Sequence, residues 1–328
     1  MTTMRILVTG RGSIAQRHVK ILRSFRPDIV LGVLSVGEPT KDLSPFEWLT
    51  SWASAAAWNP QAVVIAGVSE RHATELAASI EAGWPCLAEK PLVTSIEGLN
   101  AVRAACAGRK VMPPVVVGCN LRYLPSLQQA AATLRSGALG RIVRAQFEVG
   151  HDLALWRPGR DLADCYSARA AMGGGVLFDL VHEVDLARWL LGPLQVRAAI
   201  GGQLSRPLAA LGLESDDVHV ALLELPWGAP VTVSLDYVSR KLVRRHVLTG
   251  ELGTLIWDLA ARRCWIDDAQ GAKVLTEDPA DFDISQTYRS QMLDWLQAMG
   301  DPQHCVVSPL VDAMESAALM LAMKEAEI

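Results

Sequence analysis

Hydrophobic positions follow two different rhythms along the chain. In the first part, short apolar runs rich in β-branched residues occupy positions 4–9, 29–34, 62–66, 85–88 and 115–119, and each reads as a buried strand. Between them, positions 14–25, 70–82 and 95–107 repeat every three to four residues and read as helices, the second stopped by Gly83. Strands alternating with helices predict an α/β domain with a doubly wound parallel sheet. From position 142 the rhythm becomes two-residue alternation. Positions 142–150, 195–202, 217–225, 231–238, 242–249 and 254–258 read as strands with few helices between them. The run Pro226-Trp227-Gly228-Ala229-Pro230 separates two of these as a hairpin, and Gly250 to Gly253 make another turn. The second part is therefore expected to be an α+β domain with a mostly antiparallel open sheet. The division falls at 1–120 and 121–328.

Three motifs carry chemistry. Strand 4–9 runs directly into Gly10-Arg11-Gly12-Ser13-Ile14-Ala15 and then a helix. This is G-x-G-x-x-A between strand and helix, the setting a dinucleotide fingerprint requires. Gly10 permits the tight turn, Gly12 lets backbone N–H groups approach a pyrophosphate, and Ala15 lets helix and strand pack closely. The helix N-terminus adds its positive dipole end. At the end of the second strand stands Ser35, with Glu38 and Lys41 beyond. An acid there binds a ribose 2′-hydroxyl and a Lys meets a 2′-phosphate, so NAD and NADP both stay open. The second motif, Glu89-Lys90-Pro91, lies just past a strand end, where an extended pre-proline Lys suits acid/base work once desolvated. The third is Gly173-Gly174-Gly175 followed by Asp179, His182 and Asp185 at intervals of three. At helical spacing these side chains share a face, and the glycines let another backbone or a ligand come close. A carboxylate beside an imidazole is proton-transfer equipment. An N-capping Asp and a half-buried His on an ordinary amphipathic helix would give the same spacing.

With 328 residues the chain can hold two sizeable cores. A formal charge of −4 with scattered Lys and Arg argues against a nucleic-acid surface. No apolar run approaches the roughly 18 residues of a membrane span, and with Met1 leading almost at once into a strand no secretory leader is expected. The six cysteines lie apart with no C-x-x-C, which fits a reducing cytoplasm. His182-Glu183 and His151-Asp152 lack a third ligand at metal-binding spacing, so no metal is expected. Ten tryptophans, among them Trp227, Trp257 and Trp265, serve either their own core or a subunit contact on the open sheet.

The ordered set G-x-G-x-x-A, Glu-Lys-Pro and G-G-x-x-x-D-x-x-H resembles the Gfo/Idh/MocA family, which includes glucose–fructose oxidoreductase and inositol dehydrogenase. Arg17-His18, His72 after Val68-Ser69, the segment from Gly118 to Pro125 and the turn Gly250-Glu251-Leu252-Gly253-Thr254 match it too. The resemblance implies a Rossmann domain for NAD or NADP, contacted by Gly10, Arg11, Gly12, Ser13, Ile14, Ser35, Val68, His72, Glu89, Lys90 and Asn120. It implies Lys90, Asp179 and His182 as the catalytic set; Arg122, Tyr123, Arg157, Asp161 and Tyr166 are second-rank candidates for substrate contact. Hydride would pass between the nicotinamide and a secondary alcohol or ketone of a sugar, sugar derivative or polyol. Many members space Asp and His four apart. The three-residue spacing here is similar to a branch associated with unusual bacterial sugars, which weakens any transfer of inositol or glucose as substrate. A regulator that binds the nucleotide without catalysis, an NAD-retaining redox-assisted glycoside hydrolase, and a reductase of a non-sugar carbonyl are the alternatives. The expected assembly is a cytoplasmic homodimer or homotetramer formed through the C-terminal sheet.

Overall fold

The computed structural model describes residues 4–35, 45–156, 161–162 and 165–327. The chain divides into two compact units, 1–120 with 285–314 and 121–284 with 315–328.

In the first unit β1 (Arg5–Thr9), α1 (Ser13–Phe25), β2 (Val30–Leu34), β3 (Glu47–Leu49), α2 (Trp52–Trp58), β4 (Ala62–Ile65), α3 (Ser69–Ala82), β5 (Cys86–Ala88), α4 (Ile96–Ala107) and β6 (Val115–Val117) follow in order. The six strands are parallel, in the order β3-β2-β1-β4-β5-β6. The chain winds outward from β1 to β3, then returns to β4 on β1's other side. Ligand crevices form at such a reversal, beyond the carboxyl ends of the strands. The expected strands and helices are all present within a residue or two. Both β3 and α2 were missed. The strand is only three residues long, and the helix is a Trp/Ala/Ser stretch whose N-cap, Ser51, forms a reciprocal capping box with Ser54. Gly83 does end α3, in the left-handed conformation at φ 79°.

The core of this unit sets Ile6, Val8, Leu31, Val64, Leu87 and Val116 against Val19 and Leu22 of α1. Met292 and Trp295, both fully buried, complete it from α10 (described below). The C-terminal part of the chain thus closes the first unit, which local periodicity does not reveal.

The second unit holds α5 (Pro125–Arg135), β7 (Ile142–Gly150), α6 (Leu153–Trp156), α7 (Val176–Asp179), α8 (His182–Leu191), β8 (Gln195–Gly202), α9 (Arg206–Ala210) and β9 (Val218–Glu224). After these come β10 (Pro230–Asp236), β11 (Val243–Gly250), β12 (Gly253–Asp258), β13 (Arg263–Asp268) and β14 (Gly271–Thr276). The last two helices are α10 (Ile284–Gly300) and α11 (Leu310–Glu325). The sheet has the order β14-β13-β12-β11-β7-β10-β9-β8 and is antiparallel except where β7 pairs with β10. The 226–230 segment joins β9 to β10 as the predicted hairpin. The missed β13 and β14 carry Asp267, Asp268 and Lys273 on a hairpin, so polar residues hid their alternation.

One face of this sheet packs on helices. Phe147, Val233, Leu235, Leu248 and Trp257 interlock with Leu177, Val184 and Leu186 of α7 and α8. Trp257 is fully buried and its indole donates to Ser126 Oγ at 2.9 Å, so it serves the core, whereas Trp227 is 46% exposed.

Candidate functional site

The dinucleotide end of the first unit is built by the turn after β1. Gly10 sits at φ 84°, and a Cβ there would lie 2.7 Å from Ala66 O and from Gly67 Cα, so the tips of β1 and β4 touch only because this residue is glycine. Gly12 differs: its φ is −70° and a Cβ there would meet nothing within 4 Å. Helix α1 starts from Gly12 with no side-chain cap and no acidic residue in its first turn. The arrangement suits an anion at the helix N-terminus beside open space, as a dinucleotide pyrophosphate requires. Ala15 is fully buried, as close packing demands. Arg11 and Ser13 are exposed, Ile14 and Val68 are half-buried, and Ser35 donates its backbone N–H to Leu49 O at 3.2 Å. Glu38 and Lys41, which would choose between NAD and NADP, lie outside the described residues.

Lys90 follows β5, half-buried, at a cis Lys90–Pro91 peptide. Its loop is held from two directions. Glu89 is buried, with Oε1 2.6 Å from His18 Nε2 of α1 and Oε2 accepting the Lys90 N–H at 3.2 Å. Burial pushes the Glu89 carboxyl up, but the His18 bond and the nearby charges of His18, Lys90 and His72 outweigh it and hold the group below the usual carboxylate range. His72, 1% exposed, sets Nδ1 2.8 Å from Pro91 O and Nε2 3.2 Å from Gly67 O. Glu89 and His72, expected as cofactor contacts, thus tie the Lys90 loop to α1 and to the end of β4. Asn120, buried, donates to Thr287 Oγ1 at 2.7 Å in the same unit.

In the second unit Asp179 and His182 do not share one continuous helix. Asp179 ends the four-residue α7 and His182 begins α8, with Leu180 and Val181 as a turn between. Asp179 is 3% exposed, and its Oδ2 accepts from Ser167 Oγ at 2.6 Å and from Tyr237 Oη at 3.0 Å. Burial, then the Asp179 charge and hydrogen bond, push the Tyr237 phenol well above its usual range. His182 is half-buried. The glycine run admits the protein's own backbone rather than a ligand. A Cβ on Gly174 would strike the Tyr166, Arg169 and Ser167 carbonyls, and one on Gly175, at φ 121°, would strike the Asp216 carboxylate.

Two further expectations change. Asp185, read as a third proton-transfer group, takes two hydrogen bonds from Arg122, at 2.9 and 2.7 Å, and one from Ser316 at 2.8 Å. Arg122 is fully buried, with its guanidinium 5.7 Å from the Trp189 ring centroid. The pair anchors α8, and Arg122 is reassigned from substrate contact to that structural pair. The Tyr166 hydroxyl donates to Gly173 O at 2.7 Å, bracing the glycine turn. Tyr123 is half-buried, Asp161 is exposed, and Arg157 lies outside the described residues.

Sequence reasoning missed Ser167 and Tyr237, which stand 12 and 58 residues from the carboxylate they hold. It also missed the grouping of Asp216, His219 and Glu327, whose ligand-type atoms all lie within 4.8 Å of one another. There the Lys324 ammonium already sits 3.0 and 2.9 Å from the two Glu327 oxygens and supplies a positive charge.

A six-stranded parallel sheet with a glycine turn suited to a pyrophosphate, joined in one chain to an open-sheet unit carrying a buried carboxylate three residues before a histidine, fits a class: two-unit dinucleotide-binding oxidoreductases. Comparison with known proteins narrows the class. Residues 4–118 match the model of an oxidoreductase family with an NAD-binding Rossmann fold, and residues 127–256 match the GFO/IDH/MocA C-terminal domain. The chain belongs to the Gfo/Idh/MocA family. It is 31% identical over 241 residues to inositol 2-dehydrogenase 2 of Saccharopolyspora erythraea, covering 72% of this chain and 66% of that one. It is 28% identical over 248 residues to the rhizopine catabolism protein MocA of Rhizobium meliloti, covering 72% of each. For a third relative, inositol 2-dehydrogenase 4 of Saccharopolyspora erythraea, the match spans 47% of that protein's length. Among solved structures, levoglucosan dehydrogenase in complex with NADH superposes with a TM-score of 0.82 at 18% identity, over 99% of this chain and 97% of that one. A myo-inositol dehydrogenase from Corynebacterium glutamicum gives 0.74 at 22% identity, over 99% and 96%. No helix among the described residues is long and apolar enough to cross a membrane.

Proposed function

We propose that this protein is an NAD(P)-dependent dehydrogenase or reductase acting on a secondary alcohol or ketone of a sugar, sugar derivative or polyol. The observation that carries the reading is the buried Asp179 carboxylate, fixed by two hydroxyl donors three residues before the half-buried His182. The family membership and the open, uncapped start of α1 support it. Relatives named for inositol, with more distant structures named for levoglucosan, favour a polyhydroxylated substrate.

Lys90, Asp179 and His182 form the catalytic set. His182 accepts the hydroxyl proton of the substrate alcohol, and Asp179 orients the imidazole and stabilises its charged form. Lys90 donates a hydrogen bond to the same oxygen as it becomes a carbonyl. The bound nicotinamide supplies the hydride acceptor, or the donor in the reverse direction. Tyr123, Arg157 and Asp161 are the residues to test for substrate contact.

The protein is further proposed to act as a cytoplasmic homo-oligomer. All six cysteines are free thiols, as a reducing compartment favours. Ile200, Val220 and Leu222 stand 56%, 41% and 42% exposed on neighbouring strands β8 and β9, an apolar patch of the sort that subunit contacts cover.

The test is turnover of inositols, sugars and sugar acids with NAD and NADP, followed on wild type, Lys90→Ala and His182→Ala. Each variant is expected to lose about 10²- to 10⁴-fold in kcat, and His182→Ala, which lies outside the expected cofactor contacts, is expected to hold NADH with unchanged affinity in a fluorescence titration. Near-normal turnover in either variant would overturn the assignment. Cofactor binding with no turnover on any substrate would favour a nucleotide-binding regulator.

A further inference from the structure

We propose that Ser167 and Tyr237 are positioning residues that fix Asp179 as a charged carboxylate in a single orientation. The inference rests on the function proposed above and adds two residues to its machinery. Both hydroxyls converge on one oxygen: Ser167 Oγ lies 2.6 Å and Tyr237 Oη 3.0 Å from Asp179 Oδ2. The two donors are themselves held. The Ser167 carbonyl accepts from Ser215 Oγ at 2.7 Å and from Gly175 N at 3.1 Å, which pins the Ser167 backbone to the turn that starts α7. Tyr237 follows β10, its N–H bonded to Asp217 O at 2.8 Å and its carbonyl accepting from Leu153 N at 3.0 Å. Ser167 and Tyr237 are both fully buried, away from bulk solvent.

The chemistry of the pair is one-sided. A hydroxyl that donates to a carboxylate stabilises the ionised form, and two on one oxygen do so more strongly. Burial, the Asp179 charge and lesser contributions from Tyr166 and Asp216 keep the Tyr237 phenol protonated throughout any usable pH range. The donor therefore cannot be lost by titration. In the function proposed above, an Asp179 held ionised is the counter-charge for the His182 imidazolium that forms once that ring has taken the substrate proton. Asp179 acts as the fixed counter-charge, and His182 carries the proton.

The experiment compares wild type with Tyr237→Phe, Ser167→Ala and the double variant. Tyr237→Phe removes only an oxygen, and Ser167→Thr keeps the hydroxyl as a conservative control. The first readout needs no substrate. The Asp179 side-chain carbon is followed by NMR in protein labelled with ¹³C-aspartate, its resonance identified through Asp179→Asn. Its titration midpoint is expected to rise by about one pH unit in Tyr237→Phe and further in the double variant. It should stay near wild type in Ser167→Thr. The second readout is the pH profile of turnover. Tyr237→Phe is expected to lose about tenfold in kcat with KM nearly unchanged, and its acid limb should move to higher pH. An unmoved Asp179 titration in both Tyr237→Phe and the double variant overturns the proposal. So does an active wild type whose variants match it in kcat and pH profile. A shifted titration in a protein that turns over no sugar or polyol would leave the charge-fixing intact and defeat the reaction instead.

Discussion

The two glycine runs of this chain look alike in sequence and do opposite things. Both Gly10-Arg11-Gly12 and Gly173-Gly174-Gly175 precede a helix, and both raised the expectation that something comes close. In the first unit the space beyond Gly12 is empty to 4 Å, and the helix behind it has no side-chain cap. In the second unit the space beyond Gly174 is filled by the Tyr166, Arg169 and Ser167 carbonyls, and that beyond Gly175 by the Asp216 carboxylate. In one run Gly10 lets two strand tips touch while Gly12 leaves the space in front of the helix open. The other lets the protein pack against itself so tightly that Ser167 reaches Asp179. Glycine marks close approach, but only three-dimensional surroundings say by whom.

The contrast can be broken most forcefully at Gly174. An alanine there meets three backbone carbonyls that no rotamer change can move, and Gly174→Ala is expected to cost about 3 kcal/mol. That corresponds to a fall of roughly 5 °C in Tm, measurable by differential scanning fluorimetry. An unchanged Tm would mean the turn is looser than described. Gly12→Ala is the mirror experiment. Its φ of −70° suits any residue and its Cβ is unopposed, so Tm should stay within about 2 °C. Dinucleotide affinity should fall about tenfold by NADH fluorescence, because the methyl group occupies the approach that the pyrophosphate needs. A Gly12→Ala protein that bound normally would erase the distinction between the two runs.

The smallest effect sets the pH at which these melts are compared. His246 is fully buried between Phe147 and Trp257, its ring 4.8 Å from the Trp257 ring, and neither ring nitrogen has a hydrogen-bond partner. Burial, aided by the charge of Arg244, lowers its pKa to about 3. The unfolded chain takes up this proton near pH 6.5 and the folded one does not, so stability is full above that pH and declines as pH falls from 6.5 towards 3. Between pH 7 and 5.5 the loss from this group is about 1 kcal/mol. Chemical denaturation of His246→Leu should show a flatter pH dependence across that window. An identical slope in the variant would show that His246 is not the group responsible.

Much of the architecture was readable because its signals are local. Hydrophobic runs bounded by glycine gave the strands of the parallel sheet, and the alternation around Pro226 to Pro230 gave the β9–β10 hairpin. The unreadable parts depend on distant partners. Arg122 was expected to contact substrate because nothing nearby in sequence shows that Asp185, 63 residues on, accepts from its Nε and Nη2. His72 looked like a cofactor contact, yet two backbone carbonyls occupy its ring nitrogens. The turn at Leu180 and Val181 escaped notice because spacing of three fits a helix whether or not the helix is unbroken.

The first unit is not a contiguous cassette. Met292 and Trp295 fill its interior from beyond position 284, so a gene fragment cut after residue 120 would encode a sheet with a hole where an indole belongs. Anyone grafting this nucleotide module onto another protein must graft two separated stretches of chain, and domain shuffling in evolution would meet the same obstacle.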